Sequence, residues 1–236
     1  MIVVGIQAVT EALRSSRSRV ERVWVVKGGR GKRLQSVIDL ARSLQVPVQF
    51  EPAPTISRLG KTARPPRVVA RLGAIGTVPL EDVMDSNLLL LADGVEDPRN
   101  LGALLRTAEA TGVGAVVIPE RRSCGLSSTV VETSAGAALH LRLVRVTNSV
   151  KALNRLKQAG FWVLGLDLKG KENLDKIDLS ERLVVVVGSE HRGLRPAVRG
   201  ACDFLVSLPM RGQVQSLNLS VAAGVVLYQI VFARSE

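Results

Sequence analysis

Residues 208–230, LPMRGQVQSLNLSVAAGVVLYQI, constrain this chain more than any other stretch. The apolar run 204–208 reads as the end of a strand, Pro209 stops it, and a polar, glycine-containing turn follows. From Leu219 the sequence is apolar on every side through Ile230, which predicts a helix buried nearly all round. Gln213, Gln215, Ser216, Asn218 and Ser220 place uncharged donors and acceptors at the mouth of that helix, where its unpaired backbone N–H groups also point. Either Ser216 or Asn218 simply caps the helix, or the turn is one wall of a binding site.

The remaining composition narrows the field. With 236 residues the chain has room for two domains and an ample core. No apolar run approaches the roughly 20 residues that a membrane-spanning helix needs. Residues 1–4 lack the basic start, apolar core and cleavage site of a signal peptide, so no membrane is expected and the expected location is the cytoplasm, or an organelle in a eukaryote. Cys124 and Cys202 lie far apart, without zinc-type spacing, and both are expected to be reduced and structural. His140 and His191 are equally isolated and are expected to be packed or surface side chains, so no metal is expected.

Charge is informative through its distribution. The net charge is +11; residues 1–75 hold 14 Lys and Arg against 4 Asp and Glu, whereas residues 76–236 hold 18 against 17. A basic surface can serve solubility alone, but this clustering is the footprint of a polyanion partner, most often nucleic acid. Aromatic residues make up only 3%, so platforms for stacking bases are few, and recognition of a folded RNA's backbone and shape is favoured over single-strand threading.

Residues 1–75 read as a small basic α/β domain. A helix is expected from residue 5 to 13, a strand over 20–26, and a helix carrying Leu34, Val37, Ile38 and Leu44, then a strand over 46–50. Between the first strand and the second helix stands GGRGKR. It is either an exposed turn with solvated charges or a phosphate contact, because Arg30, Lys32 and Arg33 sit at the start of a helix. Arg64, Arg67 and Arg71, in SRLGKTARPPRVVAR, continue the basic surface. Residues 76–86 are expected to be a linker, leaving residues 87–236 as a second domain.

The second domain alternates strands and helices. A buried strand over 87–92 leads into DGVEDPRNLGALLRTAEATG, where Asp97-Pro98 makes a turn and Asn100 is expected to cap a helix with Leu101, Leu104, Leu105 and Ala108 inward. Arg106 falls off that apolar stripe, one turn beyond Gly102 on the same face. AVVIP is the next strand, and the small-residue stretch ETSAGAALHL suits close helix packing or approach to a partner chain. A helix over 150–159 and strands over 161–166 and 183–187 follow, the last ending in GSEHRGLRP. Gly188 to Gly193 has the glycine spacing of a phosphate loop, but Leu194 and Arg195 replace its Lys and Ser/Thr, which argues against an NTPase. No G-x-G-x-x-G follows a strand, which argues against a dinucleotide-dependent dehydrogenase. Glu190 stands in a strand-to-helix turn, where a carboxylate either caps a helix or holds a ligand.

A parallel sheet gathers such strand ends at one edge. Their inventory here is Asn100, Arg106, Glu190, Ser216 and Asn218, with no nucleophile–base pair, metal cluster or carboxylate dyad. That argues against most hydrolases and suits a transferase that mainly positions two substrates.

DPRNLGALLRTAEATG, GSEHRGL and LPMRGQVQSLNLSVAAGVVLYQ, in that order, resemble the three motifs of the SpoU-type branch of the SPOUT RNA 2'-O-ribose methyltransferases, over about residues 88–232. The first third resembles the small ribosomal-protein-like RNA-binding domain of the bacterial 23S rRNA guanosine 2'-O-methyltransferases and their organellar relatives. There GIQAVTEALR fits, while PPRVVAR stands where relatives carry a His-Gln-Gly turn. The resemblance implies a homodimer whose C-terminal domain is a parallel sheet knotted as a trefoil, with S-adenosylmethionine bent into the knot. It also implies that Gly188, Leu208 and Leu217, with Leu166, Asp167 and Met210 nearby, hold the cofactor, and that Asn100, Arg106, Glu190, Ser216 and Asn218 are the functional polar positions. Two rivals stand beside this expectation: a transfer RNA methyltransferase of the same family, and a non-catalytic RNA-binding protein of ribosome assembly.

Overall fold

The structure is a computed structural model that describes residues 1–15, 20–190 and 192–235. His191, expected to be a packed or surface histidine, lies outside the described residues. The chain divides into two compact units, Met1–Gly76 with Leu126–His140, and Thr77–Gly125 with Leu141–Glu236.

The first unit carries β1 (Ile2–Val4), α1 (Ile6–Arg14), β2 (Val20–Val26), α2 (Lys32–Ser43), β3 (Val48–Glu51), α3 (Ala53–Gly60) and β4 (Val68–Leu72). Its sheet runs β1-β4-β2-β3, with β4 antiparallel to both neighbours and β2 parallel to β3. Alternation explains β2, whose Val23 and Val25 enter the core with Val9, Leu34, Val37 and Val68. Leu44, expected on the inner stripe of α2, instead falls at its C-cap and is exposed. The basic segment before residue 72 hides two elements, α3 and β4, because Ile56, Val68, Val69 and Ala70 are fully buried between its charges.

The second unit is a six-stranded parallel sheet. It carries β5 (Leu88–Ala92), α4 (Pro98–Ala110) and β6 (Ala115–Pro119); after α5 (Ser128–Thr133), which belongs to the first unit, come β7 (Leu143–Val146), α6 (Ser149–Gln158), β8 (Trp162–Leu166), β9 (Leu183–Val187), α7 (Pro196–Arg199), β10 (Phe204–Val206) and α8 (Leu219–Ala233). The order is β10-β8-β9-β5-β6-β7. LLLLA, AVVIP and LVVVV are buried at every residue, as strands covered on both faces require. From β5 the chain steps outward to β6 and β7, then returns to build β8, β9 and β10 on the other side. The order therefore reverses between β5 and β9, and the crevice outside the carboxyl ends at such a switch is where open α/β sheets bind ligands.

Of residues 76–86, expected to be a linker, those from Thr77 belong to the second unit and are packed: Val78 bridges to Val144, and Leu80 and Val83 are buried in its core. Three arginines pin chain at the amino edge of this sheet. Arg142 Nε donates to the Gly114 carbonyl at 2.9 Å and its Nη2 to Ser86 Oγ at 2.6 Å. Arg182 Nη1 donates to the Ala159 carbonyl at 2.7 Å while its guanidinium lies over the Phe161 ring. Arg234 Nε donates to the Leu179 carbonyl at 2.7 Å.

The small-residue stretch ETSAGAALHL, residues 132–141, lies in the first unit as far as His140, within the segment Leu126–His140. Val131 and Leu139 join its core, Ser15 Oγ donates to the Leu139 carbonyl, and His140 Nε2 lies 3.0 Å from Glu11 Oε2. Gly136, at φ 92°, presses against Glu11, where a Cβ would collide with that side chain. Close packing, one of the two roles expected for this stretch, is therefore what its small residues permit.

α8 departs from expectation. It packs on α4 and buries Ala223, Val226, Leu227 and Ile230, but Val221, Val225, Tyr228 and Phe232 remain 51%, 40%, 42% and 65% exposed. A helix apolar on every side is covered here along one face only.

Candidate active site at the carboxyl edge of the parallel sheet

The turns after β5, β9 and β10 meet at the switch point. After β5 the helix cap is Asp97, which accepts from the Arg99 backbone N–H at 2.8 Å, with Pro98 in the first turn. Asn100, expected as the cap, stands inside α4, and its side chain is left available. Its Nδ2 donates to Glu190 Oε2 at 2.7 Å. Asn218 Nδ2 donates to Asn100 Oδ1 at 3.0 Å and to Glu190 Oε1 at 3.2 Å. The three side chains thus form a closed network drawn from three turns. Asn218 is also the N-cap of α8, accepting from Ser220 N–H at 2.9 Å and Ser220 Oγ at 2.6 Å. Glu190 accepts from two neutral amides and has no cationic partner among the described residues.

Beside this network lies a cleft of about 310 Å³, within the range of small-molecule sites. Leu166, Asp167, Gly188, Leu208, Met210 and Leu217 all line it, as do Glu190 and Ser216. The turn after β9 is closed on itself: Ser189 N–H donates to the Gly193 carbonyl at 3.0 Å and Gly193 N–H to the Ser189 carbonyl at 2.9 Å. A Cβ on Gly188 would overlap the Gly193 backbone, so only glycine fits there. Asp167 accepts from the Lys169 backbone N–H at 2.8 Å and lies 3.5 Å from Arg199 Nε. Lys169 and Arg199 also line the cleft. Sequence reasoning missed both, although the polar run LDLKGK directly after a buried strand marks one of them. Leucine walls for a purine, with backbone and carboxylate oxygens for a ribose and a cationic sulfur, fit a nucleoside sulfonium such as S-adenosylmethionine.

The network does not include Arg106. That side chain is exposed on the third turn of α4 and makes no hydrogen bond or ion pair among the described residues. Ser216 makes none either. The two cysteines are not poised as nucleophiles. Burial pushes the Cys202 thiol up to about 12, with Asp203 adding to it, and burial also raises Cys124. Among the described residues no cluster of His, Cys, Asp or Glu could hold a metal ion, and no helix is long and apolar enough to cross a membrane.

In the first unit Arg30, Lys32 and Arg33 are exposed around Gly31, the N-cap of α2. Arg67 reaches the same loop, donating from Nη1 to the Arg30 carbonyl at 3.4 Å. Arg64 is exposed in the segment before β4.

Comparison with known proteins decides the family. Residues 87–228 match the model of the SpoU rRNA methylase family, and residues 2–75 match that of the RNA 2'-O ribose methyltransferase substrate-binding domain. The chain belongs to the SpoU rRNA methylase family. Among its relatives, the 23S rRNA (guanosine-2'-O-)-methyltransferase RlmB of Pseudomonas aeruginosa is 39% identical over 240 residues, covering 99% of this chain and 96% of that protein. The fold of this SpoU family member is that of the SpoU methyltransferase AviRb from Streptomyces viridochromogenes, solved in complex with AdoMet, at a TM-score of 0.86 and 24% identity over 100% of this chain and 91% of that one. A TrmH/SpoU tRNA-modifying enzyme of A. aeolicus is similar over 66% of this chain and 82% of its own, at 28% identity and a TM-score of 0.58.

Proposed function

We propose that the chain methylates the 2'-hydroxyl of a guanosine ribose in 23S-type rRNA, using S-adenosylmethionine as donor. The observation that carries this reading is the Asn100–Glu190–Asn218 network beside a nucleoside-sized cleft. A protein that only bound RNA would have no use for a carboxylate held by two amides next to such a cleft. The full-length likeness to a 23S rRNA guanosine methyltransferase supports ribosomal RNA, and the likeness to a tRNA-modifying enzyme extends over only two thirds of the chain.

The cofactor supplies an electrophilic methyl on a cationic sulfur, whose departure as a neutral thioether needs no acid. Leu166, Asp167, Gly188, Leu208, Met210 and Leu217 would hold it. What remains for the chain is to orient the ribose hydroxyl and to stabilise the negative charge that grows on its oxygen. Arg106 is assigned that work: a guanidinium is a permanent cation, so it binds the adjacent phosphate and polarises the hydroxyl, while the proton leaves to phosphate or water. Asn100 fixes the ribose or the arginine, and Glu190, Ser216 and Asn218 shape the site.

The same reading extends to the whole chain. Arg30, Lys32, Arg33, Arg64 and Arg67 contact RNA from a substrate-recognition domain formed by the first third, and residues 87–236 form the methyltransferase domain. The parallel sheet is threaded as a trefoil knot, the exposed face of α8 joins two copies into a homodimer, and the enzyme works in the cytoplasm.

The test is transfer of labelled methyl from S-adenosylmethionine to total RNA lacking its natural modifications, fractionated by size. Label should enter large-subunit RNA, and Arg106→Ala should lower the rate by about 10²–10³, as loss of an oxyanion donor does. Arg106→Lys should not gain activity as pH rises towards about 10, where a lysine deprotonates; such a gain would make the side chain a base. Tight RNA binding with no transfer by the wild type would leave a ribosome-assembly role instead.

A further inference from the structure

The arginines of the second unit fall into two sets. Arg142, Arg182 and Arg234 pin chain at the amino edge and Arg145 donates to the Glu120 carbonyl, while Arg155 pairs with Glu81, Arg195 with Asp93 and Arg199 with Asp167. The side chains of Arg99, Arg106, Arg121, Arg122, Arg192 and Arg211 make no hydrogen bond or ion pair among the described residues. Five of these, all but Arg106 on the third turn of α4, stand in the turns or first helical turn after β5, β6, β9 or β10, so parallel topology gathers them at the carboxyl edge, with the cleft. Counted along the sequence, this unit is almost neutral; in space five of its six unpaired guanidiniums share one edge.

Two of them, Arg121 and Arg122, are consecutive and exposed in the turn after β6. Arg122 adopts φ 58°. The other non-glycine residues at positive φ among those described, Gln45, Lys61 and Ala135, each follow the end of a helix, where this conformation is ordinary. Arg122 follows a strand, and no hydrogen bond or ion pair of its side chain among the described residues accounts for the strain. The turn abuts the site. A Cβ built on Gly94 would lie 3.9 Å from the Arg122 carbonyl oxygen and 3.6 Å from Ser189 Cβ, and Ser189 precedes Glu190. Beneath the turn Arg145 Nη2 donates to the Glu120 carbonyl at 3.3 Å, and its Nη1 is buried without a hydrogen-bond partner. Of the nearby carboxylates, Asp97 is occupied as a cap, and Glu96 and Glu120 reach neither guanidinium of the pair.

We infer that Arg121 and Arg122 grip RNA phosphates flanking the target ribose, and so position it over the cleft. The inference rests on the function proposed above. Solvated arginines would be the plain alternative, but they would not explain a left-handed arginine or the segregation of unpaired guanidiniums to one edge. A guanidinium fork matches two phosphate oxygens at once. These are positioning residues: they hold the substrate and take no part in methyl transfer.

The experiment measures binding of unmodified 23S-type rRNA against salt concentration, together with methyl-transfer kinetics, for Arg121→Ala/Arg122→Gly. Glycine suits the backbone at residue 122, so the fold is retained. Expected are a KM for RNA raised about tenfold, kcat and S-adenosylmethionine affinity held, and a dependence of log K on log salt flatter by about 1–2, at roughly 0.7–0.9 per phosphate. Arg121→Lys/Arg122→Lys should restore most of the slope. An unchanged slope and KM, a fall in kcat alone, or an equal loss per charge from Arg155→Gln would overturn the inference. If the wild type transfers no methyl, the proposed function fails, and the salt slope still decides these two arginines.

Discussion

Asn218 meets two demands with one side chain. Its oxygen caps α8, and its nitrogen donates to Asn100 and Glu190. Asn218→Asp separates the two roles, because a carboxylate still accepts from Ser220 but turns the donor into a second negative charge facing Glu190. The cap of α8 should hold while methyl transfer falls about tenfold or more, because the donor to the Glu190 carboxylate is lost. Asn218→Ala should lose activity and also about 1 kcal/mol of cap, lowering Tm by roughly 2–4 °C. Full activity in Asn218→Asp would make the network a scaffold only. At this scale the sequence was legible by type and ambiguous by position. The turn before α8 announces its polar groups, yet the sequence pattern offers Asn100 as the cap of α4. Pro98 carried the missing signal: proline favours the first helical position, which makes Asp97 the cap and frees Asn100 for the site.

Element by element, what was legible follows the physics of burial. β5, β6 and β9 are five-residue apolar runs buried on both faces, a pattern that leaves little choice. α3, β4 and β7 are short and interrupted by arginines or polar residues, so their charges masked their apolar sides. α8 shows the converse difficulty. An apolar surface looks the same in sequence whether it faces a core or another chain, and only the packing separates Val226 and Leu227 from Val225 and Phe232. The exposed side, where Tyr228 and Phe232 place their rings 5.8 Å apart, is the proposed dimer face. Val225→Glu/Phe232→Glu should therefore convert a dimer into a monomer in sedimentation at micromolar concentration without unfolding it. A wild type that sediments as a monomer would remove the dimer proposal.

Across the whole molecule, sequence order and spatial order diverge twice. The charge of residues 76–236 nearly cancels along the chain, but pairing and parallel topology leave five of its six unpaired arginines together at one edge. Topology also divides the chain differently from its linear order, since Leu126–His140 belongs with residues 1–76 while its flanks belong to the other unit. No local pattern could disclose this, because Val131 and Leu139 are ordinary apolar residues whose neighbours in β1 and α1 lie more than 100 positions away. The division has a measurable consequence. Leu139 is fully buried against the first unit, so Leu139→Ala should destabilise the intact chain by about 2–5 kcal/mol through the cavity it leaves. In a chain lacking residues 1–76 those partners are gone and the side chain is already uncovered. There the same substitution should leave the denaturation midpoint unchanged, while reducing binding of a dye that reports exposed apolar surface. Equal destabilisation in both chains would mean that Leu126–His140 packs with its own flanks, and that the first unit closes without it.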